Sequence, residues 1–559
     1  MLYLENVFDV PDIFSSQYML VIAVLAIVNL LFAIPVARKY MQIIQQAGYV
    51  KSEYLRWLSK KDNVYVSRLS MLTLLSLLSY LIFSIAFAFV ENDLIMFAGF
   101  LFYAFFLAIY IRTDFKRKEK CPLVITKRMV RLYITFAIFF TAITYGILLL
   151  SNVIGFLAKN NLVFLRVRFI FLCLTPMLVP VAVFLAACAN EPIEKLNNKK
   201  YVDRCKKTLA VYPDLIKIGI TGSYGKTSVK EMLKTILSER FKVLATPLSY
   251  NTPMGICKTV AKLNSTYDVF IAEMGARHEG DIKELCDIVR PTYGIINGIV
   301  EHHLETFLTL QKIKSTKAEL ISGTEKTVVL TSDNTVTRSL IKEYKDKDVI
   351  LAGVDGGKGV SVYADGIKVS RAGTEFTLHI FGEEFAAFTA LLGKHNVSNI
   401  CLAACIAHKL GLSGGEIVAG IARIRPIKHR LEISYNDLGM TIIDDSYNSN
   451  VSGTEAAIET LSYFTGRKIA VTPGLVEMGR SQDAANMEFG EKLAAAVDIA
   501  VLVGETNSYK IRDGMLKKGF PLEKIEIVKS LDEAKLFLKK NSVAGDVVLF
   551  ENDLPDKFS

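Results

Sequence analysis

The chain has 559 residues, enough for three or four domains, and 51% of them are hydrophobic. A mean hydropathy of +0.33 excludes a protein that is soluble throughout, and the apolar excess lies in the first 190 residues. Net charge is +10, but much of it sits in two short basic loops between apolar segments, which argues for membrane topology and against nucleic-acid binding.

Five apolar stretches, at about 18–36, 70–90, 94–111, 133–151 and 169–189, are long enough, or nearly so, to cross a bilayer. No early cleavage site follows the first, so it is expected to be retained rather than removed as a signal peptide. Residues 1–17 carry acids and no Lys or Arg. The loop 37–68 carries Arg38, Lys39, Lys51, Arg56, Lys60, Lys61 and Arg68, and the loop 112–131 is as basic, from Arg112 to Arg131. The positive-inside rule then places the N-terminus outside a bacterial cell membrane and everything after residue 190 in the cytoplasm, an outcome that an odd number of spans delivers. Hardly any charged side chain falls inside the stretches, which argues against a proton-coupled pump or ion channel. Trp57, the only tryptophan, lies beside Tyr54, Leu55 and Leu58 and reads either as part of an interfacial helix or as a packed helix between spans. Pro176 and Pro180 predict a kink in the fifth stretch. Eight scattered cysteines without a Cys-x-x-Cys pair suit a reducing compartment and no zinc framework.

From residue 212 the pattern changes. Strand-like runs at 215–221, 268–274, 293–299, 326–331 and 348–354 alternate with helical ones and predict a largely parallel, helix-covered sheet. Residues 360–388 read as an antiparallel addition, and a helix near 396–411 leads to a boundary at Arg425-Pro426. Strands at 439–444, 468–473, 499–503, 524–528 and 546–550 predict a second, Rossmann-like unit. The expected architecture is therefore multi-domain: a helical transmembrane domain of about five spans over 1–200, an α/β P-loop domain over 201–425, and a Rossmann-like α/β domain over 426–559.

Thr-Gly-Ser-Tyr-Gly-Lys-Thr-Ser at 221–228 stands between a strand-like run and the helix-like Val229–Ser238. A glycine-bearing strand–loop–helix with Lys then Thr suits a triphosphate. Backbone N–H groups and the helix N-terminus face the phosphates, Lys226 supplies a point charge, and Thr227 can ligate Mg²⁺. Ile220 occupies the position where the six-residue spacing would need glycine, so a shorter loop is expected. Glu273, His302 and His303, Lys317, and Asp444 and Asp445 lie at or after strand ends, where an open α/β sheet places ligands.

In order, these residues resemble the Mur ligase family, ATP-dependent amide-forming enzymes of peptidoglycan precursor synthesis, and most of all its D-alanyl-D-alanine-adding branch. The matching stretches are 221–228, Asn-Thr-Pro-Met-Gly (251–255), Glu-Met-Gly-Ala (273–276), His-Leu-Glu-Thr-Phe (303–307), Lys-Ala-Glu-Leu (317–320), Gly-Lys-His-Asn-Val-Ser-Asn (393–399), His-Arg-Leu-Glu (429–432) and Asp-Asp-Ser-Tyr-Asn-Ser-Asn (444–450). The resemblance implies an ATP site at Thr221, Gly222, Ser223, Gly225, Lys226, Thr227 and Ser228, with His395 and Asn399 on the adenine side. It implies two Mg²⁺ ions held through Thr227, Glu273, His303 and a Lys317 that is carbamylated. Arg430 would reach the phosphates on closure of the last domain, Asp445 would bind ribose, and Tyr447 and Asn448 would line the cleft. Lys226, Glu273, His303, Lys317 and Arg430 form the implied catalytic set, while Asn251 and Thr252 face the acyl substrate.

Departures from the family concern the substrates. Five apolar stretches replace the small domain that grips the UDP sugar nucleotide, Pro473-Gly474-Leu475 replaces Gly-Asp-Met, Val451 replaces a proline, and Phe550-Glu551-Asn552-Asp553 lacks Lys-Gly-Ser. The partners expected are an amino acid or D-dipeptide and a carboxylate-bearing envelope precursor, lipid-linked or membrane-proximal. Two alternatives remain open: the cytosolic reaction on UDP-N-acetylmuramoyl-tripeptide with D-alanyl-D-alanine, and a transporter or non-catalytic scaffold with a vestigial nucleotide fold.

Overall fold

Apolar runs of this length can satisfy their backbone polar groups inside lipid only as helices, and the first part of the chain is built that way. The computed structural model describes residues 16–60, 63–86, 94–115, 122–158, 161–301, 304–354, 356–436, 439–447, 450–476 and 478–552. It divides into one unit ending at Asn197 and a second, Asn198–Leu554. Helices Ser16–Gln46, Lys51–Leu58, Val64–Ala86, Leu94–Phe115, Lys127–Ala158, Asn161–Leu174 and Val179–Ala210 follow one another, with a 3₁₀ turn at Thr175–Leu178. Among the described residues four runs are long and apolar enough to cross a membrane: Met19–Gln46, Tyr65–Ala86, Lys127–Ser151 and Val167–Ala210. The stretch at 94–111 falls on Leu94–Phe115, of which Leu101–Thr113 forms a shorter apolar helix.

The 3₁₀ turn coincides with Pro176, which cannot donate to the helical ladder. Trp57 is buried, edge-on to Tyr40 and stacked near Tyr54, so Lys51–Leu58 is a packed helix. Asn29 joins three further elements: it donates to the Thr144 and Thr175 hydroxyls at 3.3 and 3.0 Å and accepts from Tyr103. Such polar contacts hold helices together where the hydrophobic effect between them is lost.

In the second unit, nine strands form one sheet: β1 (Ile216–Thr221), β2 (Val243–Ala245), β3 (Val269–Glu273), β4 (Tyr293–Ile296), β5 (Thr327–Thr331), β6 (Asp348–Gly353), β7 (Val360–Ser370), β8 (Gly373–Ile380) and β9 (Glu383–Thr389). The order is β2-β3-β1-β4-β5-β6-β7-β8-β9, parallel as far as β7 and antiparallel from β7 to β9. Helices Lys226–Leu237, Lys394–Lys409 and Gly414–Ala422 pack one face through Val229, Met232, Leu233, Ile400 and Ile417. Helices Pro253–Val260, Asp281–Val289, Leu310–Gly323 and Thr335–Glu343 pack the other through Ile256, Leu285, Leu320 and Leu340. Burial on both faces explains why β1, β3 and β5 read as continuous apolar runs.

The remaining strands, β10 (Glu432–Tyr435), β11 (Thr441–Asp445), β12 (Lys468–Thr472), β13 (Ile499–Val503), β14 (Ile525–Val528) and β15 (Val547–Glu551), form a second sheet ordered β10-β11-β15-β12-β13-β14. Only the β10–β11 pair is antiparallel. Sequence reasoning missed β2 and β10, which are short, and overran β4, whose strand ends at Ile296 so that Asn297 and Gly298 enter a loop.

Two helices of this second sheet, Gln482–Ala494 and Ser508–Lys517, touch backbone to backbone. A Cβ on Gly490 would stand 2.1 Å from the Ile511 carbonyl oxygen, and one on Gly514 would stand 2.0 Å from that of Met487. Gly490→Ala should lower stability by about 2 kcal/mol in denaturant unfolding, because backbone cannot yield as a side chain can. Gly415→Ala, on a helix with open space around it, should instead be neutral or stabilising by up to ~1 kcal/mol.

Candidate active site

β1 ends at Thr221, whose hydroxyl donates to the Met274 carbonyl at 2.9 Å. The chain then turns through Gly222 (φ +151°) and Gly225 (φ +69°), and the helix Lys226–Leu237 starts at once. Ser223 is fixed twice: its N–H donates to the Gly298 carbonyl at 2.8 Å and its hydroxyl to that of Val300 at 3.1 Å. Behind the loop, Asn297 Nδ2 donates to Asn399 Oδ1 at 2.8 Å. A Cβ on Gly225 would lie 2.2 Å from Asn297 Nδ2, so both the left-handed φ and the space require glycine. Lys226 Nζ bends back to the Gly222 carbonyl at 2.8 Å, across the mouth of the loop, and Ser228 follows in the first helical turn.

Parallel pairing of β1 with β3 carries Glu273 to the level of this loop, with Ile220 opposite it in register. Its carboxylate is 1% exposed and accepts from the Thr227 hydroxyl at 3.0 Å and from Asn251 Nδ2 at 3.2 Å. Lys230, fully buried one turn after Lys226, stands 3.4 Å from the same carboxylate and also donates to the Leu248 carbonyl. Each oxygen of Glu273 therefore has a partner, and the buried Lys230 charge has a counter-ion.

Lys317 sits on Leu310–Gly323, 4% exposed, and among the described residues no carboxylate lies within ion-pairing distance of it. Burial, reinforced by the charge of Lys226, holds its ammonium down from an ordinary value near 10.5 to about 7, with Asp281 and Glu319 opposing. Burial and the nearby Arg430 guanidinium likewise pull Lys226 below its usual range, against Glu273. Lys226, Lys230, Lys317 and Arg430 thus gather near one end of the sheet, with Glu273 buried among them and Asp281, Glu319 and Asp445 offsetting part of the charge.

Arg430 comes from the segment entering the second sheet and lies over the Tyr447 ring, 4.5 Å from its centroid. His429 and Leu431 on either side are both left-handed, at φ +61° and +50°. His429 is anchored by Asp444, 2.7 Å from its Nδ1, and the Leu431 N–H donates to Asp445 at 3.3 Å. Burial lifts the Asp445 carboxyl to about 6, although Arg430 pulls the other way. Asp445 pairs in register with Glu551 on β15, a neighbour that sequence reasoning did not assign to the site. His395, at the start of Lys394–Lys409, keeps a buried Nδ1 without a hydrogen-bond partner, and burial lowers it to about 4.

The structure thus brings together Lys226, Thr227, Glu273, Lys317 and Arg430, with Asn399 behind the loop and Tyr447 beside Arg430. His303 and Asn448 lie outside the described residues. Two residues were missed. Lys230 had a signal in its spacing, one turn from Lys226 on the face that packs inward. Asn297 had one only in the Asn-Gly pair that ends β4.

The family model described as the Mur ligase middle domain matches residues 220–407, and that of the Mur ligase glutamate ligase domain matches 429–551. The UDP-N-acetylmuramoyl-tripeptide–D-alanyl-D-alanine ligase of Escherichia coli is 31% identical over 294 residues, 52% of this chain and 64% of that protein. The enzyme of the same name from Bacillus subtilis is 26% identical over 337 residues, 60% and 72% of the two chains. Against the first of these the chain therefore spans less than two-thirds of its relative's length. Among solved structures, MurF from Acinetobacter baumannii superposes with a TM-score of 0.59 at 25% identity, covering 64% of this chain and 77% of that one. MurF from Thermotoga maritima in complex with ADP gives 0.57 at 25% identity, covering 64% and 80%. With both domain models matched in order over the two sheets, the chain belongs to the Mur ligase family through its middle and glutamate ligase domains.

Proposed function

We propose that this protein is an ATP-dependent amide ligase of cell-envelope synthesis. ATP phosphorylates a substrate carboxylate, the amine of an amino acid or dipeptide attacks the acyl phosphate, and phosphate leaves. The observation that carries this reading is the glycine loop itself, with Lys226 bent across it beside Thr227 and the buried Glu273, and with the charges of Lys317 and Arg430 near enough to bear on Lys226: such a set of partly desolvated cations asks for a polyanion. Lys226 and the loop N–H groups would bind the phosphates, and Arg430 would offset charge as it spreads over the transferred group.

Thr227 and Glu273 present hard oxygen donors at a buried strand end, a donor set that fits Mg²⁺. When bound there, Mg²⁺ supplies charge neutralisation at the phosphate oxygens. Lys230 and Asn251 hold the Glu273 carboxylate aimed toward the loop. Lys317 would reach a second ion as a carbamate, and its lowered pKa leaves much of it neutral, the form able to add CO₂, at ordinary cell pH.

The helices of the first unit are the reason to place the protein in a membrane; with Leu94–Phe115 as a fifth span beside the four long runs, the basic loops and both ligase domains fall on the cytoplasmic side. They precede the matched domains, and a lipid-linked or membrane-proximal carboxylate is the acceptor we favour. The substrates in the relatives' names, a UDP-N-acetylmuramoyl-tripeptide and D-alanyl-D-alanine, are the second reading, favoured by the identity to those enzymes.

Phosphate release by the full chain in detergent separates the two. Turnover that needs membrane lipid extract plus an amino acid or D-dipeptide supports the first. Turnover with the soluble nucleotide and D-alanyl-D-alanine alone supports the second. Lys226→Ala should lower either activity by about a hundredfold or more. No turnover above that of Lys226→Ala under any combination would sink the ligase reading.

Lys317 adds a pH test. Its folded pKa lies below the unfolded one, so the unfolded chain binds the extra proton between about pH 7 and 10.5, and this lysine's contribution to stability rises with pH across that window. The neutral amine, and any ¹³C-bicarbonate label it acquires, should fall away as pH drops through about 7. NMR of labelled protein should show a carbamate signal that Lys317→Met removes. A signal that survives this change, or none at pH 8, would exclude carbamylation here.

A further inference from the structure

Besides the Arg371–Thr465 bond and the packing of Val369 and Leu392 on the core of the second sheet, the two sheets of the ligase unit touch at a small contact on the rim of the loop site. Ser249, in the segment Thr246–Asn251 that follows β2, shares a hydrogen bond between its hydroxyl and that of Tyr447. Tyr447 follows β11 in the other sheet and is 44% exposed, so neither hydroxyl is held by burial. The same tyrosine ring lies under the Arg430 guanidinium, 4.5 Å away. One side chain thus touches the first sheet through its oxygen and the arginine through its face.

Both anchor points are tied down independently. Leu248, next to Ser249, is left-handed (φ +48°), exposed, and held through its carbonyl by the buried Lys230 that also pairs with Glu273. On the other side the Tyr447 N–H donates to the His429 carbonyl at 3.3 Å, and His429 and Leu431 bracket Arg430 in left-handed conformations. Non-glycine residues in that region cost energy and persist where surrounding bonds over-determine them, which is common at functional sites. Strained backbone therefore stands at each end of the contact, and Arg430 lies near enough to Lys226 to depress its ammonium.

We propose that Tyr447 is a positioning residue: its hydroxyl bond to Ser249 latches the two ligase domains together and thereby fixes Arg430, stacked on the same ring, over the phosphate loop. The latch rests on the ligase reading for its consequence but not for its existence. An aromatic face holds a guanidinium in plane without neutralising it, leaving its N–H groups for phosphate oxygens. With the hydroxyl bond broken, Arg430 keeps its ring but loses its register with Lys226. The effect falls on the transferred phosphoryl group and hardly on nucleotide binding, to which the loop at 221–228 contributes without Arg430.

The test uses the full chain in detergent. Tyr447→Phe retains the ring and removes the hydroxyl, and Ser249→Ala removes its partner. Each should lower kcat about tenfold, the scale of one hydrogen bond, with KM for ATP changed less than about twofold. The double variant should be no slower than either single one, because both remove the same bond. A double variant slower by the product of the two effects, or Tyr447→Phe with unaltered kcat, overturns the proposal.

A second readout needs no substrate. Spin labels at Lys262→Cys and Lys540→Cys, exposed sites in the two domains, with Cys121 and Cys188 replaced by serine, report the interdomain distance. Tyr447→Phe and Ser249→Ala should each broaden and lengthen it, and an unchanged distribution overturns the latch. Absence of ATP turnover in the unsubstituted chain would refute the ligase reading instead, and the distance measurement would still decide the latch.

Discussion

A carboxylate buried at a strand end is stable only if its oxygens are fully occupied, and Glu273 meets that condition through Thr227, Asn251 and Lys230. Those three residues come from the helix after the loop and from the segment after β2. The carboxylate therefore fixes the relative height of β1, β3, the loop and Thr246–Asn251. Parallel register supplies the coarse placement, since Ile220 stands opposite Glu273, and the polar cluster supplies the fine one. Lys230 belongs to this cluster for the same reason: its fully buried ammonium is balanced by Glu273 at 3.4 Å and by Glu231 at 3.3 Å.

Around that fixed point the fold gathers positive charge. Lys226 follows from the loop, Lys317 from a helix on the opposite face of the sheet, and Arg430 from the second sheet. Burial of Lys226 and Lys317, with their convergence adding to it, costs free energy in the isolated protein and lowers both pKa values. Such a cost is recovered when a polyanion arrives, which is why perturbed groups cluster where ligands bind.

Much of this was legible in the sequence, and the reasons for the exceptions are physical. Strands buried on both faces announce themselves as apolar runs, so the long members of both sheets were placed correctly. β2 and β10 are three and four residues long and carry no such run. Candidate site residues stood out because Glu273 and Asp445 end apolar strands and Lys226 opens a helix straight after a glycine. Lys230 did not, since a lysine in an amphipathic helix ordinarily faces water, and it takes Glu273, Glu231 and the Leu248 carbonyl together to make its burial tolerable. Asn297 was hidden because its role is to close the space behind Gly225, a property of tertiary packing alone. In the helical unit the packed state of Trp57 was likewise beyond the sequence, because an aromatic among lysines suits an interface as well as a core.

The departures from the family pattern around residue 474 have a physical logic of their own. Pro473-Gly474-Leu475 forms a turn whose backbone is occupied by amide side chains. Asn507 Nδ2 donates to the Pro473 carbonyl at 3.1 Å and Asn552 Nδ2 to that of Gly474 at 2.7 Å. The Leu475 N–H donates to Asn486 Oδ1 at 2.8 Å, and Asn486 Nδ2 returns a bond to the Leu475 carbonyl. Gly474 is left-handed, and a Cβ there would lie 2.5 Å from Asn486 Oδ1. All three asparagines are buried, so the turn is held by neutral groups with no charge to spare for a ligand. An acidic residue in the turn would bring a carboxylate into this buried, neutral setting, and the asparagine network could not balance it. The turn at 473–475 is thus supported by side chains from three other segments of the chain.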